Sequence, residues 1–389
     1  MVIGIVAEWN PFHEGHAYLV RKAKAFVPGA PIICAMSGAF VQRGEPAIFD
    51  KWTRALWAVQ NGVDIAVELP VLSVLQSADK FSDAGVRLLA GLGITHLAFG
   101  TESLGASDIL SIADWMATAS FQSALHQKLD EGIPYSKAVN GAISTQFPQL
   151  AQEIAKPNNL LGIQYARTIQ MLSLSIQILP IHRDMERPIS ATAIRKDICH
   201  DRRPDHIPES SQEKLSRLLA AGHHTDYDRY DDACLLTFRT MTKDALTASG
   251  LFTEGLQNRW FKEMGASTYP AMLEAIKSKR YLYSRLRRIG AALLIGGPRT
   301  PSPFAKPPAP SYARILAMTP SASHFLKDTP LPIVTSYAKA LRTLPASALS
   351  LAIEQRATDI QAWCMRAPAC RSGRRDFYQS PVIVRDTGL

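Results

Sequence analysis

Two histidines three residues apart, His13 and His16, stand near the start of the chain in the run Asn10-Pro11-Phe12-His13-Glu14-Gly15-His16. Residues at that spacing share one face of a helix, so a helix entered at Glu14 or Gly15 turns both imidazoles the same way. A helix entrance also offers free backbone N–H groups and the positive end of the helix dipole, which favour a bound anion. Gly15 carries no Cβ that would hold a phosphate or a base away from the backbone. Imidazoles that donate hydrogen bonds to a phosphate as charge builds on it suit displacement at phosphorus. The plainer alternative is that one histidine caps the helix and the other packs. The His-x-Gly-His spacing directly after a first strand favours function. A zinc site needs a further ligand close by, and the sequence supplies none.

A second group is Ser190-Ala191-Thr192-Ala193-Ile194-Arg195. Thr192 or Ser190 can cap a helix there, and Arg195 in its first turn opposes the dipole unless an anion sits with it. Ser190, Thr192 and Arg195 could then cradle a polyphosphate; a plain cap with a solvated arginine is the other reading. Gly100-Thr101-Glu102 follows a strand and suits backbone contact with a nucleotide, or a simple turn. Asn158 lies in a turn before a helix and either caps it or reaches the site. Arg183 follows the fifth strand and is placed for a phosphate, or for the surface. The loop containing Ser37, Gly38, Gln42 and Arg43 leads into Lys51, a composition that suits recognition. Lys277, Lys279, Arg280, Arg285, Arg287 and Arg288 interleave with Tyr281 and Tyr283, which suits RNA backbone and base contacts as well as a solvated helix face.

The elements that position these groups come from the apolar pattern. Short β-branched runs at 2–7, 31–36, 63–69, 95–100 and 176–181 alternate with stretches of helical period at 15–26, 45–61 and 76–91. Continuous apolar strands separated by helices predict an α/β fold with a doubly wound parallel sheet covered on both faces. Such a sheet binds ligands at the carboxyl ends of its strands, and 8–16, 37–46 and 100–102 all fall there. After residue 207 helical stretches dominate. Residues 298–310 read as a Pro-rich linker or extended surface segment, 312–318 and 333–344 resume ordered patterning, and the basic tail from Arg366 reads as loose. The expected division is a catalytic domain over 1–205 and a mostly helical, basic region over 206–389.

The totals fit two domains: 389 residues, 47% hydrophobic and 20% charged, which is ample for a core. Lys and Arg outnumber Asp and Glu by 43 to 34, a formal charge of +9, as a polyanionic partner would favour. Cys34, Cys199, Cys234, Cys364 and Cys370 make no Cys-x-x-Cys pair, which points to reduced thiols and a cytoplasmic protein. The N-terminal apolar run meets Glu8 at once and reads as a strand rather than a signal peptide. No apolar run is long enough to span a bilayer, so no membrane association is expected.

Read together, GIVAEWNPFHEGH (4–16), AMSGAFVQRGEPAIFDKWTRA (35–55), GVDIAVELP (62–70), FGTES (99–103), KPNNLLGIQY (156–165) and SATAIR (190–195) resemble the bacterial tRNA(Met) cytidine acetate ligases. That family sits within the His-x-Gly-His nucleotidyltransferases. The likeness is close over the first two hundred residues and continues more weakly through 279–289 and 312–319. It implies a Rossmann-like nucleotidyltransferase domain that uses ATP to activate acetate as acetyl-adenylate. The acetyl group then passes to the exocyclic amine of the wobble cytidine of elongator tRNA(Met). Carried over by position, the ATP site comprises Ala7, Glu8, Trp9, Asn10, Pro11, Phe12, His13, Glu14, Gly15, His16, Ala17, Tyr18, Leu19 and Val20, with Gly100, Asn158 and Arg183. His13 and His16 stabilise the α-phosphate, and Ser190, Thr192 and Arg195 hold the triphosphate. The tRNA is expected at Ser37, Gly38, Gln42, Arg43 and Lys51 and along the basic helix with Arg280, Arg287 and Arg288. Magnesium is expected with the ATP, and no residue marks its site.

The chain departs from the family pattern at Trp9, where a tyrosine is usual, at Thr101, where a serine is common, and at Ala193, where a second hydroxyl often stands. The last departure removes a possible phosphate contact. A small-molecule adenylyltransferase shares both motifs without needing a basic helical region, and an RNA-binding protein on the same fold would need no ATP. No Ser/His/Asp or Cys/His constellation competes for a nucleophilic role.

Overall fold

The computed structural model describes residues 1–183, 189–297 and 299–385. The apolar runs fold as β1 (Ile3–Ala7), β2 (Ile32–Ser37), the short hairpin β3 (Phe40–Val41) and β4 (Glu45–Pro46), β5 (Ile65–Leu69), β6 (His96–Thr101) and β7 (Gln177–His182). Later come β8 (Ala313–Met318), β9 (Ile333–Val334) and β10 (Val382–Ile383). The main sheet runs β10-β8-β5-β2-β1-β6-β7, with β9 paired to β8. β5, β2, β1, β6 and β7 are mutually parallel, with Ile3 opposite both Ile32 and His96.

Alternation along the strands divides the core. Ile33, Ala35, Ile65, Val67 and Leu69 face one side, toward the helices Ala78–Ala90, Ala106–Met116 and Pro157–Met171. Ile3, Ile5, Ile32, Cys34 and Met36 face the other, toward Glu14–Phe26, Lys51–Gln60 and Ala191–Cys199. Strands buried on both faces read as continuous apolar runs for this reason. The helical stretch expected over 45–61 begins only at Lys51. Asp50 caps it, its carboxylate accepting the Thr53 N–H at 2.9 Å, while Pro46, which has no N–H to donate, sits in the hairpin.

Beyond residue 207 the helices Tyr227–Arg239, Leu256–Glu263, Tyr269–Ile276 and Tyr283–Gly296 surround a third core with Trp260, Phe238 and Tyr269. Ala39 and Phe40, at the base of the β3–β4 hairpin, belong to that same core. The chain then returns to the sheet. β8 lies antiparallel against β5, with Arg314 opposite Glu68, and β10 lies parallel to β8. A cut at residue 205 separates seven strands from three and passes between strands of one sheet, with helices abundant on both sides. The Pro-rich stretch is also no free linker from Arg299 on: Ser302 and Phe304 are buried, and the Phe304 carbonyl accepts from Gln76 Nε2 at 3.1 Å; Pro298 lies outside the described residues. The basic tail is anchored at Asp376, which is 1% exposed and ion-paired to Lys51 at 2.8 Å, and again at β10.

Gly44 at the hairpin tip has φ +76°, and a Cβ there would meet the backbone of Arg287 and Arg288 at 2.5 Å. Backbone cannot swing aside as a flexible side chain can. Gly44→Ala combines a left-handed conformation with that clash and is expected to lose about 2 kcal/mol or more. A urea titration reads the loss directly; an unchanged midpoint would mean that the hairpin and helix part without cost.

Candidate active site at the carboxyl edge of the sheet

β1 ends at Ala7, and the chain turns sharply through Trp9, whose φ of 45° lies in the left-handed region. A bulky residue holds that conformation only when its surroundings fix it. Here Trp9 is buried edge-on against Phe12 at 5.1 Å, and the Asn10–Pro11 peptide is cis. The Asn10 side chain accepts the Ile48 N–H at 2.7 Å. This turn delivers His13 as the N-cap of the helix Glu14–Phe26.

The two imidazoles stack, with centroids 3.6 Å apart and planes at 21°. The His13 backbone N–H donates to His16 Nδ1 at 3.2 Å. A neutral His16 that accepts at Nδ1 carries its proton on Nε2, so that nitrogen is left as a donor. His13 Nδ1 is buried with no partner among the described residues. Burial, and then the charges of Arg183 and His206, push His13 down to about 4. Burial and the neighbouring His13 hold His16 well below its ordinary range. Both rings are therefore neutral donors at neutral pH, and an arriving phosphate anion would favour their protonated forms.

The His13 shift fixes a pH dependence. Between about 6.5 and about 4 the unfolded chain binds the His13 proton and the native chain does not. Stability is accordingly lost as the pH falls through that window, by about 3 kcal/mol in all, and levels off below it. Urea midpoints measured from pH 7 to pH 4 should show this loss, and His13→Gln should show less of it. Equal slopes in the two proteins would count against a neutral, buried His13.

The remaining expected site residues are placed as follows. Glu8 is half-buried, accepts the Gln42 N–H and has its pKa raised by burial. A Cβ on Gly15 would sit 3.1 Å from His13 Cε1. Glu14 is exposed, and its N–H is taken by the His206 carbonyl at 2.9 Å. Ala17 and Val20 are buried in the core, with Tyr18 and Leu19 packed beside it. Gly100 lies beneath Arg183, whose Cγ would be 3.5 Å from a Cβ there, and Arg183 is exposed at the sheet edge.

Ser190 is the N-cap of Ala191–Cys199, accepting the Ala193 N–H at 3.3 Å. Arg195 lies in the second turn of that helix rather than the first. It crosses to the Asn10 carbonyl at 2.7 Å, touches Thr192 Oγ1 at 3.2 Å and approaches Glu45 at 4.0 Å. Asn158 is held by Glu102, which accepts from its side chain at 2.6 Å and from the Asn159 N–H at 3.0 Å. Histidines, arginines and helix entrances from β1, β7 and 190–195 thus converge on one edge.

Four residues in this network escaped sequence reasoning. Glu102 and Asn159, which together clamp β6 to the helix Pro157–Met171, stood inside the quoted motifs without a role. Arg54 binds the carbonyls of Glu8 and Phe49 from a fully buried position, which a basic residue following a loop does not advertise. His206 comes from a distant turn with no signal at all.

The expected RNA contacts divide by burial. Ser37, Gly38 and Lys51 are buried, and Lys51 is paired to Glu68 at 2.7 Å, so they meet no macromolecule in this arrangement. Arg287 and Arg288 are half-buried, with Arg287 on Glu45 at 3.0 Å. Gln42 is half-buried and donates to the Gln76 carbonyl at 3.0 Å. Arg43 and Arg280 are exposed. Among the described residues no group of three or more His, Cys, Asp or Glu is placed to hold a metal ion. No helix among them is long and apolar enough to cross a membrane.

Comparison with known proteins agrees with this geometry. The HIGH Nucleotidyl Transferase family matches residues 1–376. A Listeria monocytogenes protein named tRNA(Met) cytidine acetate ligase is 34% identical, over 98% of this chain and 99% of its own length. An Acetivibrio thermocellus protein of the same name is 30% identical over 98% and 100%. The crystal structure of Thermotoga maritima TmcAL bound with alpha-thio ATP superposes with a TM-score of 0.91 at 30% identity, covering 99% of both chains. Sequence, fold and site edge agree: the chain belongs to the tRNA(Met) cytidine acetate ligase family of HIGH nucleotidyl transferases.

Proposed function

We propose that this chain is an ATP-dependent ligase that activates acetate as acetyl-adenylate and passes the acetyl group to the exocyclic amine of the wobble cytidine of elongator tRNA(Met). The observation that carries the reading is the stacked pair of neutral imidazoles at a helix entrance, one with a buried Nδ1 that has no partner among the described residues. In the first step an acetate oxygen attacks the α-phosphorus of ATP and the bond to pyrophosphate breaks. The reaction needs donors for the charge that gathers on the α-phosphate oxygens and cations for the leaving group. His16 Nε2–H and His13 supply the former; Arg183, Arg195 and the helix entrance at Ser190 supply the latter. In the second step the cytidine amine attacks the acetyl carbonyl carbon, AMP leaves, and the amine gives up a proton. No protein nucleophile is needed.

Acetate would bind within reach of the α-phosphate, and tRNA would dock through exposed cations such as Arg43, Lys279 and Arg280. The similarity to a protein whose structure holds an ATP analogue, and the names of the relatives, support the reading. The test is incubation of the protein with ATP, labelled acetate and methionine elongator tRNA, followed by digestion to nucleosides. ATP-dependent label in N4-acetylcytidine is expected, with one AMP formed per acetyl transferred. Acetate-dependent AMP formation with no label in RNA would transfer the reading to a small-molecule acceptor.

A further inference from the structure

The nucleotide edge and the C-terminal helices are joined by one carboxylate. Glu45 lies in β4, 8% exposed, with one oxygen 3.0 Å from Arg287 of the helix Tyr283–Gly296 and the other 4.0 Å from Arg195. Both arginine side chains are mostly buried, at 13% exposure for Arg195 and 23% for Arg287, so solvent screens this chain of charges weakly. The hairpin cannot easily drift from either partner. Gly44 abuts the backbone of Arg287 and Arg288, Tyr230 Oη donates to the Gly44 carbonyl at 2.9 Å, and Gln42 N–H binds Glu8 at the end of β1. Arg195 meanwhile rests on the Asn10 carbonyl at 2.7 Å, inside the turn that carries His13.

We propose that Glu45 is a positioning residue that restrains Arg195 on the Asn10 carbonyl against the triphosphate, and that Arg287 sets the strength of this restraint by sharing the same carboxylate. The inference rests on the assignment of Arg195 to the triphosphate. Its logic is competition: a carboxylate beside Arg195 opposes a polyanion that must recruit the same guanidinium, and a second cation on that carboxylate weakens the opposition. The C-terminal helix that bears Arg287 also bears the half-buried Arg285, which donates to Thr253 Oγ1 at 2.6 Å. ATP affinity is thereby tied electrostatically to the placement of that helix.

The experiment measures acetate-dependent ATP–pyrophosphate exchange in the full chain without RNA, over a range of ATP concentrations. Glu45→Gln is expected to lower the KM for ATP about five-fold, the scale of one partly buried charge pair, with kcat little changed. Arg287→Met, which leaves Glu45 to Arg195 alone, is expected to raise that KM. The double variant Glu45→Gln/Arg287→Met removes both charges and should follow Glu45→Gln. A role limited to folding would move both single variants the same way, or change kcat and melting temperature without splitting KM. Shifts of the same sign, or no shift, overturn the inference.

Arg195→Met separates this outcome from a failure of the underlying reading. If it leaves the KM for ATP unchanged, Arg195 does not hold the triphosphate and the assignment itself falls. If it raises KM while Glu45→Gln changes nothing, only the role of Glu45 falls. Should Arg287→Met fold poorly, Arg287→Lys tests the same direction with a smaller effect, since a lysine cannot reproduce the guanidinium geometry.

Discussion

His16→Asn is expected to slow acetate-dependent ATP cleavage by about 10²–10³-fold, the usual consequence of removing one donor aimed at developing charge. It should melt close to the unsubstituted protein. The asparagine carbonyl oxygen can take the place of Nδ1 and still accept the His13 N–H, which His16 Nδ1 now does at 3.2 Å. What disappears is the Nε2 donor and half of the stacked pair. His16→Gln makes the opposite exchange: its amide reaches toward the Nε2 position but leaves the His13 N–H without its acceptor. It should recover part of the rate at some loss of stability. Stopped-assay pyrophosphate release and thermal melts of the two variants read both quantities. If Asn and Gln lose rate equally while Asn alone melts normally, the donor at Nε2 is not what the reaction uses.

Lys51→Met is expected to be among the most destabilising single changes, at about 3–5 kcal/mol. Lys51 is fully buried between Glu68 at 2.7 Å and Asp376 at 2.8 Å, with Arg314 reaching the same carboxylates. Two cations balance two anions there, and Trp52 lies under Lys51 at 5.0 Å and Arg314 at 5.9 Å. Removing one cation strands a carboxylate where water cannot reach it. Glu354, beside them and also buried, supplies the control. Burial and the adjacent Glu68 raise its pKa well above the usual carboxylate range, which favours its protonated form. Glu354→Gln should therefore be nearly silent in a urea titration, while Lys51→Met shifts the midpoint strongly. A large loss for Glu354→Gln would show that this acid is charged.

Much of the nucleotide-binding half was legible because its signals are local. Five apolar runs became β1, β2, β5, β6 and β7 within two residues of their expected ends, since a strand buried on both faces must be continuously apolar. The His-x-Gly-His turn and the Ser190 cap were readable for the same reason: cap and spacing lie within one turn of helix. Partnership across the chain was not. Lys51 looked like a surface cation because its counter-charges are Glu68 and Asp376, the second more than three hundred residues away. The 37–46 loop looked like a recognition loop because its polar groups are needed by its neighbours. Gln42 donates to the Gln76 carbonyl, the Gly44 carbonyl accepts from Tyr230, and Glu45 pairs with Arg287. The place of 313–318 in the sheet was hidden as well, because an apolar strand does not announce which edge it will join.

That returning strand has a consequence for synthesis. β5 ends at Leu69, and the neighbour that covers its edge begins at Ala313. At ordinary translation rates roughly 10 to 50 seconds separate their appearance from the ribosome. During that interval the nascent chain carries an apolar strand with an open row of backbone donors and acceptors, and Glu68 within it lacks its later partner Arg314. Expression limited by chaperone supply, and insolubility of fragments that stop before β8, would both trace to this late-arriving edge rather than to any weakness in the finished sheet.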